Sequence, residues 1–281
     1  MEKSVFDNVT TSSPPDTNLY HYTSQLGLLG ITQSNALWAT KIQYFNDGQE
    51  LELGLDIAQR KLRRMLKEAA GEDETRLVHL LVESLDQVRT VGKYVFSFSR
   101  EGDSLSQWRA YCRVGDGFCL GLVKSELEAV VKTRGWRIVE CTYDTEEHHR
   151  RVHRLLAETL SGEKRDPANN GAHAWRFAQR FADVALELKN PTFSDEKEIR
   201  LISPAVSEND ERIDYREGAF SLCPYYSFQL TDDPAELPLE RVTVGPTPYP
   251  ELSIQATAAF LRKRQLNRTW VYRSRTSLRL W

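Results

Sequence analysis

Tyr94-Val95-Phe96-Ser97-Phe98-Ser99 alternates strictly between large aromatic and small residues. A period of two belongs to an extended strand, so Tyr94, Phe96 and Phe98 face one way and Val95, Ser97 and Ser99 the other. The spacing predicts a half-buried strand whose second face is small and polar. Working outward, residues 117–123 and 136–143 read as further strands, with a helix over 125–132 between them. Upstream, Leu51, Leu55, Ala58, Leu62 and Met65 follow a helical period, and a second helix is expected over 74–88. Nearer the N-terminus, Leu19-Tyr20-His21-Tyr22 is a short aromatic strand. Thr23 or Ser24 caps a helix to about Asn35, and Leu37-Trp38-Ala39-Thr40 is a second strand. Asn46-Asp47-Gly48 is a turn signal, and Asn46, Asp47 and Glu50 read most simply as a turn and a helix N-terminus. Downstream come helices near 145–161 and 172–188 around the polar loop 162–171. Strands at 198–202, within 219–230, at 241–244 and at 269–274, with a helix over 254–264, complete the chain.

Strands dispersed among helices of unequal length predict an α+β fold, a mixed and mainly antiparallel sheet with flanking helices and a helical insertion. The 281 residues suit one large domain. Residues 1–18 are polar, contain Pro14-Pro15 and read as a flexible N-terminal arm before a single domain over 19–281. A hydrophobic fraction of 40% and an aromatic fraction of 10% are those of a packed protein. The net charge of −3 gives no general attraction to nucleic acid or an anionic membrane. Basic residues do gather at the C-terminus: Arg262, Lys263, Arg264, Arg268, Arg273, Arg275 and Arg279. They read as a solvated helix face with an exposed last strand, or as a patch for nucleic acid or phosphate.

Cys112, Cys119, Cys141 and Cys223 contain no C-x-x-C pair, and Cys119 and Cys141, in apolar strands, are expected to be core thiols. No apolar run approaches membrane-spanning length, and Met1-Glu2-Lys3-Ser4 lacks the apolar core of a signal peptide. A cytoplasmic location without a membrane partner is the expectation. His149 and His153 share a helical face, but no zincin carboxylate accompanies them, so no metal is expected. Nucleophile-elbow, phosphate-loop and dinucleotide-fold glycine motifs are absent from the sequence, which leaves serine hydrolase, P-loop nucleotidase and Rossmann dehydrogenase unsupported.

Short blocks stand out along the chain, among them Leu19-Tyr20-His21-Tyr22-Thr23-Ser24, Leu37-Trp38-Ala39-Thr40, Phe96-Ser97-Phe98-Ser99, Ser106-Gln107-Trp108 with Tyr111, and Gly117-Phe118-Cys119-Leu120-Gly121. Glu196-Lys197-Glu198-Ile199-Arg200-Leu201, Tyr215-Arg216, Pro224-Tyr225 and Val244-Gly245-Pro246 continue them. Together, over roughly 19–275, they resemble the bacterial domain-of-unknown-function 2971 family. The chain is also, more distantly, similar to ADP-ribosyltransferases, which have three separated elements. These are a first strand with His or Arg, a middle Ser-x-Ser or Tyr, and a later strand starting at a catalytic Glu, often in Glu-x-Glu. Here the elements are His21 with Tyr22, Ser97-Phe98-Ser99 and Glu196-Lys197-Glu198, in that order. The long interval from 100 to 195 departs from that pattern and would have to hold the helical insertion.

What this second resemblance implies is NAD as substrate, an ADP-ribosyltransferase-like fold, and a toxin or phage-defence effector acting on an unidentified macromolecular acceptor. Glu198 becomes the carboxylate beside the charge that develops on the ribose, where preorganised electrostatics are usually the largest catalytic term. Glu196 would orient or deprotonate the acceptor. His21 would donate a hydrogen bond to a ribose hydroxyl, with Tyr22 and Thr23 beside it. Ser97 and Ser99 leave room for the ligand, and Gln107 and Trp108 line the nicotinamide side. Against this stands an ordinary acidic turn, a satisfied core histidine and a core tryptophan. Strand alternation, moreover, puts His21 with Thr23 on one face and Tyr20 with Tyr22 on the other. A non-enzymatic module binding a nucleotide, nucleic acid or protein is the competing reading. It is separated by whether Glu198, His21, Ser97 and Ser99 converge on one cleft.

Overall fold

The strand of alternating aromatics, β3 (Tyr94–Ser99), is the junction of the whole sheet. The computed structural model describes residues 18–45, 50–69, 71–112, 115–161, 170–218 and 221–276. β6 (Glu198–Ile202) pairs antiparallel with β3 from Val95↔Ile202 to Ser99↔Glu198, and β5 (Arg137–Glu140) adds on beyond β6. A strand has two edges, so two neighbours must share the other one. β2 (Ala36–Lys41) takes its start, at Lys41↔Tyr94 and Thr40↔Val95. β1 (Asn18–Ser24) takes its end, with the single register pair Tyr20↔Ser99. From β1 the sheet continues through β4 (Gly117–Val123), β9 (Leu239–Val244) and β10 (Trp270–Arg273). From β2 it continues through β8 (Leu222–Gln229) to β7 (Ile213–Glu217). Among these strands every pairing is antiparallel except β9 with β10. The sheet therefore divides at Phe96-Ser97-Phe98, where β1 and β2 diverge.

Two apolar layers cover the sheet. Tyr94, Phe96 and Phe98 join Leu37, Leu120 and Phe228 in a core closed by α1 (Gln25–Ser34), α5 (Lys124–Thr133) and α8 (Pro250–Lys263). The Ser24 hydroxyl caps α1 by accepting from Gly27 N at 3.2 Å, and Asn35 ends it in the left-handed region at φ 50°. On the opposite face Val95 and Ile202 pack under α2 (Glu50–Glu68), α3 (Glu72–Val88), α6 (Thr145–Ser161) and α7 (Asn170–Ala185). Leu55, Leu62, Phe177 and Phe181 are fully buried there, and each such side chain contributes roughly 1.5–3 kcal/mol. β3 is thus buried on both faces rather than half-buried, because the second helical layer covers Val95. Of its residues only Ser97 stays partly exposed.

Several expectations need correcting. Asn18 already belongs to β1, and residues 1–17 lie outside the described residues, as do the Asn46-Asp47-Gly48 turn, most of the 162–171 loop and Arg279. α8 starts at Pro250, ahead of the expected 254, with its proline in the first turn. The helical layer is assembled from two separate stretches, α2 with α3 and α6 with α7. The interval from 100 to 195 also supplies β4 and β5 to the sheet, together with the unexpected short helix α4 (Leu105–Tyr111). β7 was not anticipated either, being an exposed edge strand without an apolar face. Cys119 and Cys141 are buried thiols, as expected. Three of the C-terminal arginines have partners within the fold. Arg264 donates to Thr32 O at 2.8 Å, Arg268 pairs with Glu126, and Arg273 pairs with Glu251. Among the described residues no helix is long and apolar enough to cross a membrane.

Candidate active site

Where β1 and β2 part, the Ser97 carbonyl has no strand to bond to on that edge. His21 fills the place: its Nδ1 lies 3.0 Å from Ser97 O and its ring lies 4.2 Å from that of Phe96. A carbonyl only accepts, so Nδ1 carries the proton and Nε2 is left as an acceptor. Burial lowers the His21 pKa to about 4 against the hydrogen bond to Ser97, and the nearby charge of Arg216 adds to the lowering. The imidazole is neutral at physiological pH. The expected role is corrected accordingly, since His21 can accept from a ligand hydroxyl but has no second N–H to donate.

Beside it opens a cavity of about 100 Å³. Tyr20, His21 and Tyr22 all line it, with Ser97, Ser99 and Gln107, and with Glu196 and Glu198 opposite. Alternation along a regular strand keeps three successive neighbours from facing one cleft. These three share it because the cavity sits at the split edge of the strand, which residues of both faces reach. Thr23 is the exception, packed instead against Gly27 at the start of α1. Trp108 is also off the cavity: it lies behind Tyr22, ring centroids 4.8 Å apart, and its Nε1 donates to Asp103 at 2.8 Å. Its place is crowded, since a Cβ on Gly245 would come within 2.8 Å of the Trp108 ring. The Tyr22 hydroxyl is engaged as well, donating to Glu101 O at 2.7 Å and accepting from Ser104 N at 2.8 Å. Tyr22 therefore offers the cavity its ring. The Ser99 hydroxyl donates to Glu196 O at 2.7 Å and accepts from Glu101 N, so it braces the two loops rather than facing a ligand.

The carboxylates are organised by a left-handed residue. Pro191–Glu196 forms a short 3-10 turn, Lys197 reverses the chain at φ 44°, and β6 begins at Glu198. Glu196 and Glu198 thereby meet the same ammonium, that of Lys189, at 3.1 and 3.0 Å. Glu198, 4% exposed, also accepts a forked pair from Arg200, Nε at 2.9 Å and Nη2 at 2.8 Å. Burial pushes its pKa up, but the charge and hydrogen bonds of Arg200, then Lys189 and the Ser97 hydroxyl, outweigh it and hold the pKa at about 2. Glu196 is nearer the surface and accepts from the Tyr111 hydroxyl at 2.7 Å. Desolvation and the Glu196 carboxylate raise the Tyr111 pKa, so that phenol keeps its proton.

Arg200, Lys189 and Tyr111 were not foreseen as site residues. Arg200 was legible in principle, standing two residues after Glu198 on a strand and hence on its face. Tyr111 stands four after Gln107 on α4, a spacing that has meaning only once the helix is known. Lys189 follows α7 in irregular chain and carries no local signal.

The family described as Protein of unknown function (DUF2971) matches residues 107–201. The matched segment is about a third of the chain. It carries Gln107, Trp108, Tyr111, Glu196 and Glu198, whereas His21 and the β3 serines lie ahead of the DUF2971 match. No curated protein and no solved structure matches the chain.

Proposed function

We propose that this cleft binds the nicotinamide–ribose end of NAD and that the protein is an ADP-ribosyltransferase or NAD glycohydrolase. The observation that carries the reading is convergence: His21, Ser97, Glu196 and Glu198, from three separate strands and loops, line one cavity. A volume of about 100 Å³ suits one ring and not a whole dinucleotide. In the reaction the bond between ribose C1′ and the nicotinamide nitrogen breaks, and its electron pair leaves with nicotinamide. The acceptor or water forms the new bond to C1′ and loses a proton. Glu198, kept ionised, faces the positive charge that develops on the ribose. His21 Nε2 accepts from a ribose hydroxyl, the rings of Tyr20 and Tyr22 wall the nicotinamide, and Glu196 takes the acceptor proton. A cytoplasmic toxin or phage-defence effector acting on a macromolecule fits this chemistry.

A second reading has its own observation. Both oxygens of Glu198 are already held by cations, and Lys189 with Arg200 balances the charge of the two carboxylates. A module that binds a nucleotide without cleaving it would look the same. Incubation with labelled NAD, with and without cell lysate, separates the two. Nicotinamide release by the parent, lost in Glu196→Gln and Glu198→Gln, is the expected result. Glu196→Gln, being nearer the surface, guards against a folding artefact. Absence of release under both conditions, with no NAD-induced shift in Tm, would leave the recognition module as the function.

A further inference from the structure

The sheet face that opens into the cavity continues past the split onto β2, β8 and β7. Thr40 pairs with both Val95 and Tyr225, and Tyr225 pairs in turn with Asp214. Register and alternation therefore put Trp38, Thr40, Tyr225 and Arg216 on the same side as Ser97 and Ser99. β7 is the edge strand, where a charged side chain ordinarily extends into water. Arg216 does otherwise. Its side chain lies back across β8, and Nη2 donates to Thr40 Oγ1 at 2.7 Å on β2. The guanidinium is thereby fixed beside the split, close enough for its charge to act on His21. Among the described residues no carboxylate forms an ion pair with it; the neighbouring Asp214 instead accepts from the Tyr225 hydroxyl at 3.3 Å. Alongside, Trp38 and Tyr225 stack with centroids 4.6 Å apart, an aromatic surface next to the cation.

The carboxylates that line the cavity carry their own cations, Lys189 and Arg200, whereas Arg216, outside that lining, has no carboxylate ion pair among the described residues. NAD carries two negative phosphates beyond the ribose of its ring end. We infer that Arg216, braced by Thr40, binds the paired phosphates of the dinucleotide whose ring end enters the cavity. A planar fork of N–H donors suits a phosphate better than a point charge does. The inference rests on the NAD reading of the cleft and fixes the direction in which the ligand lies.

The test is calorimetric titration with ADP-ribose, which keeps both phosphates and lacks the cationic ring, against the full chain, Arg216→Ala and Arg216→Lys. Affinity should fall roughly ten- to a hundredfold in Arg216→Ala, the loss of a charge-assisted pair, and by less in Arg216→Lys. Arg216 is exposed on an edge strand, so the parent Tm should be retained; were the alanine variant to unfold, parent against lysine variant still decides. Equal affinity in parent and variants, or no binding by the parent, overturns the inference. Nicotinamide release by a parent that shows no Arg216 dependence leaves the catalytic proposal standing without it. Arg216-dependent binding without nicotinamide release does the reverse.

Discussion

β3 carries two environments back to back. Tyr94, Phe96 and Phe98 sit in a continuous apolar core. On the other face Val95 is equally dry, yet two residues on, at Ser97, the surroundings become ionic, with Arg200 directly across the ladder and the Glu198 carboxylate within hydrogen-bonding reach. Burial alone does not distinguish the two faces, since Arg200 and Leu201, adjacent on β6, are both fully buried. What differs is the neighbour along the strand edge. Where β2 pairs with β3, hydrophobic layers close over the sheet; where β1 and β2 diverge, polar groups collect because backbone and charge must be satisfied there by side chains.

The contrast can be broken most forcefully at Arg200. Arg200→Met would leave Glu198 buried with Lys189 as its remaining cation and should cost about 3–5 kcal/mol in urea unfolding. Adding Glu198→Gln to that variant should restore part of the loss, and a further drop instead would mean that the carboxylate is stabilising without its partner. Acid sharpens the same comparison on a smaller scale. The unfolded chain takes up a proton at His21 near 6.5 while the folded chain resists until about 4, so stability should fall as pH drops through that window. The effect should be roughly 1–3 kcal/mol. Glu198, depressed from 4.5 to about 2, contributes stability that is complete above 4.5 and is lost only below it. In His21→Gln, whose amide can still donate to Ser97 O, the first phase should disappear and the second persist in pH-dependent unfolding. The smallest effect is expected at Ser97, and setting it against Phe96 separates the two faces directly. Phe96→Ala should cost about 3–5 kcal/mol, whereas Ser97→Ala should cost about 1 kcal/mol or less. A comparable loss at both positions would remove the distinction between core and cavity.

Much of the fold was readable from local pattern. The alternation in 94–99, the continuous apolar strand 117–123 and the helical period from Leu51 each became the expected element. β7 escaped because an exposed edge strand has no buried face to impose a period, and α4 because seven residues are too few to show one. Of the site, Glu198, Glu196, His21 and Ser97 were named from the sequence and do meet. Their arrangement was not readable, because the divergence of β1 from β2 is a property of long-range pairing. Lys189 reaches both carboxylates only through the left-handed turn at Lys197.

The single rung Tyr20↔Ser99 gives the sheet a mechanical seam. β1 holds β4 by seven register pairs, and β3 holds β6 by five, but β1 and β3 share a single register pair, supplemented by the His21 imidazole and by the Tyr22 hydroxyl on the chain after β3. Load carried along the sheet concentrates on that line, so its amides should exchange with solvent ahead of those on either side. The cleft lies along the join, and any molecule seated there would act as the rivet between the two plates.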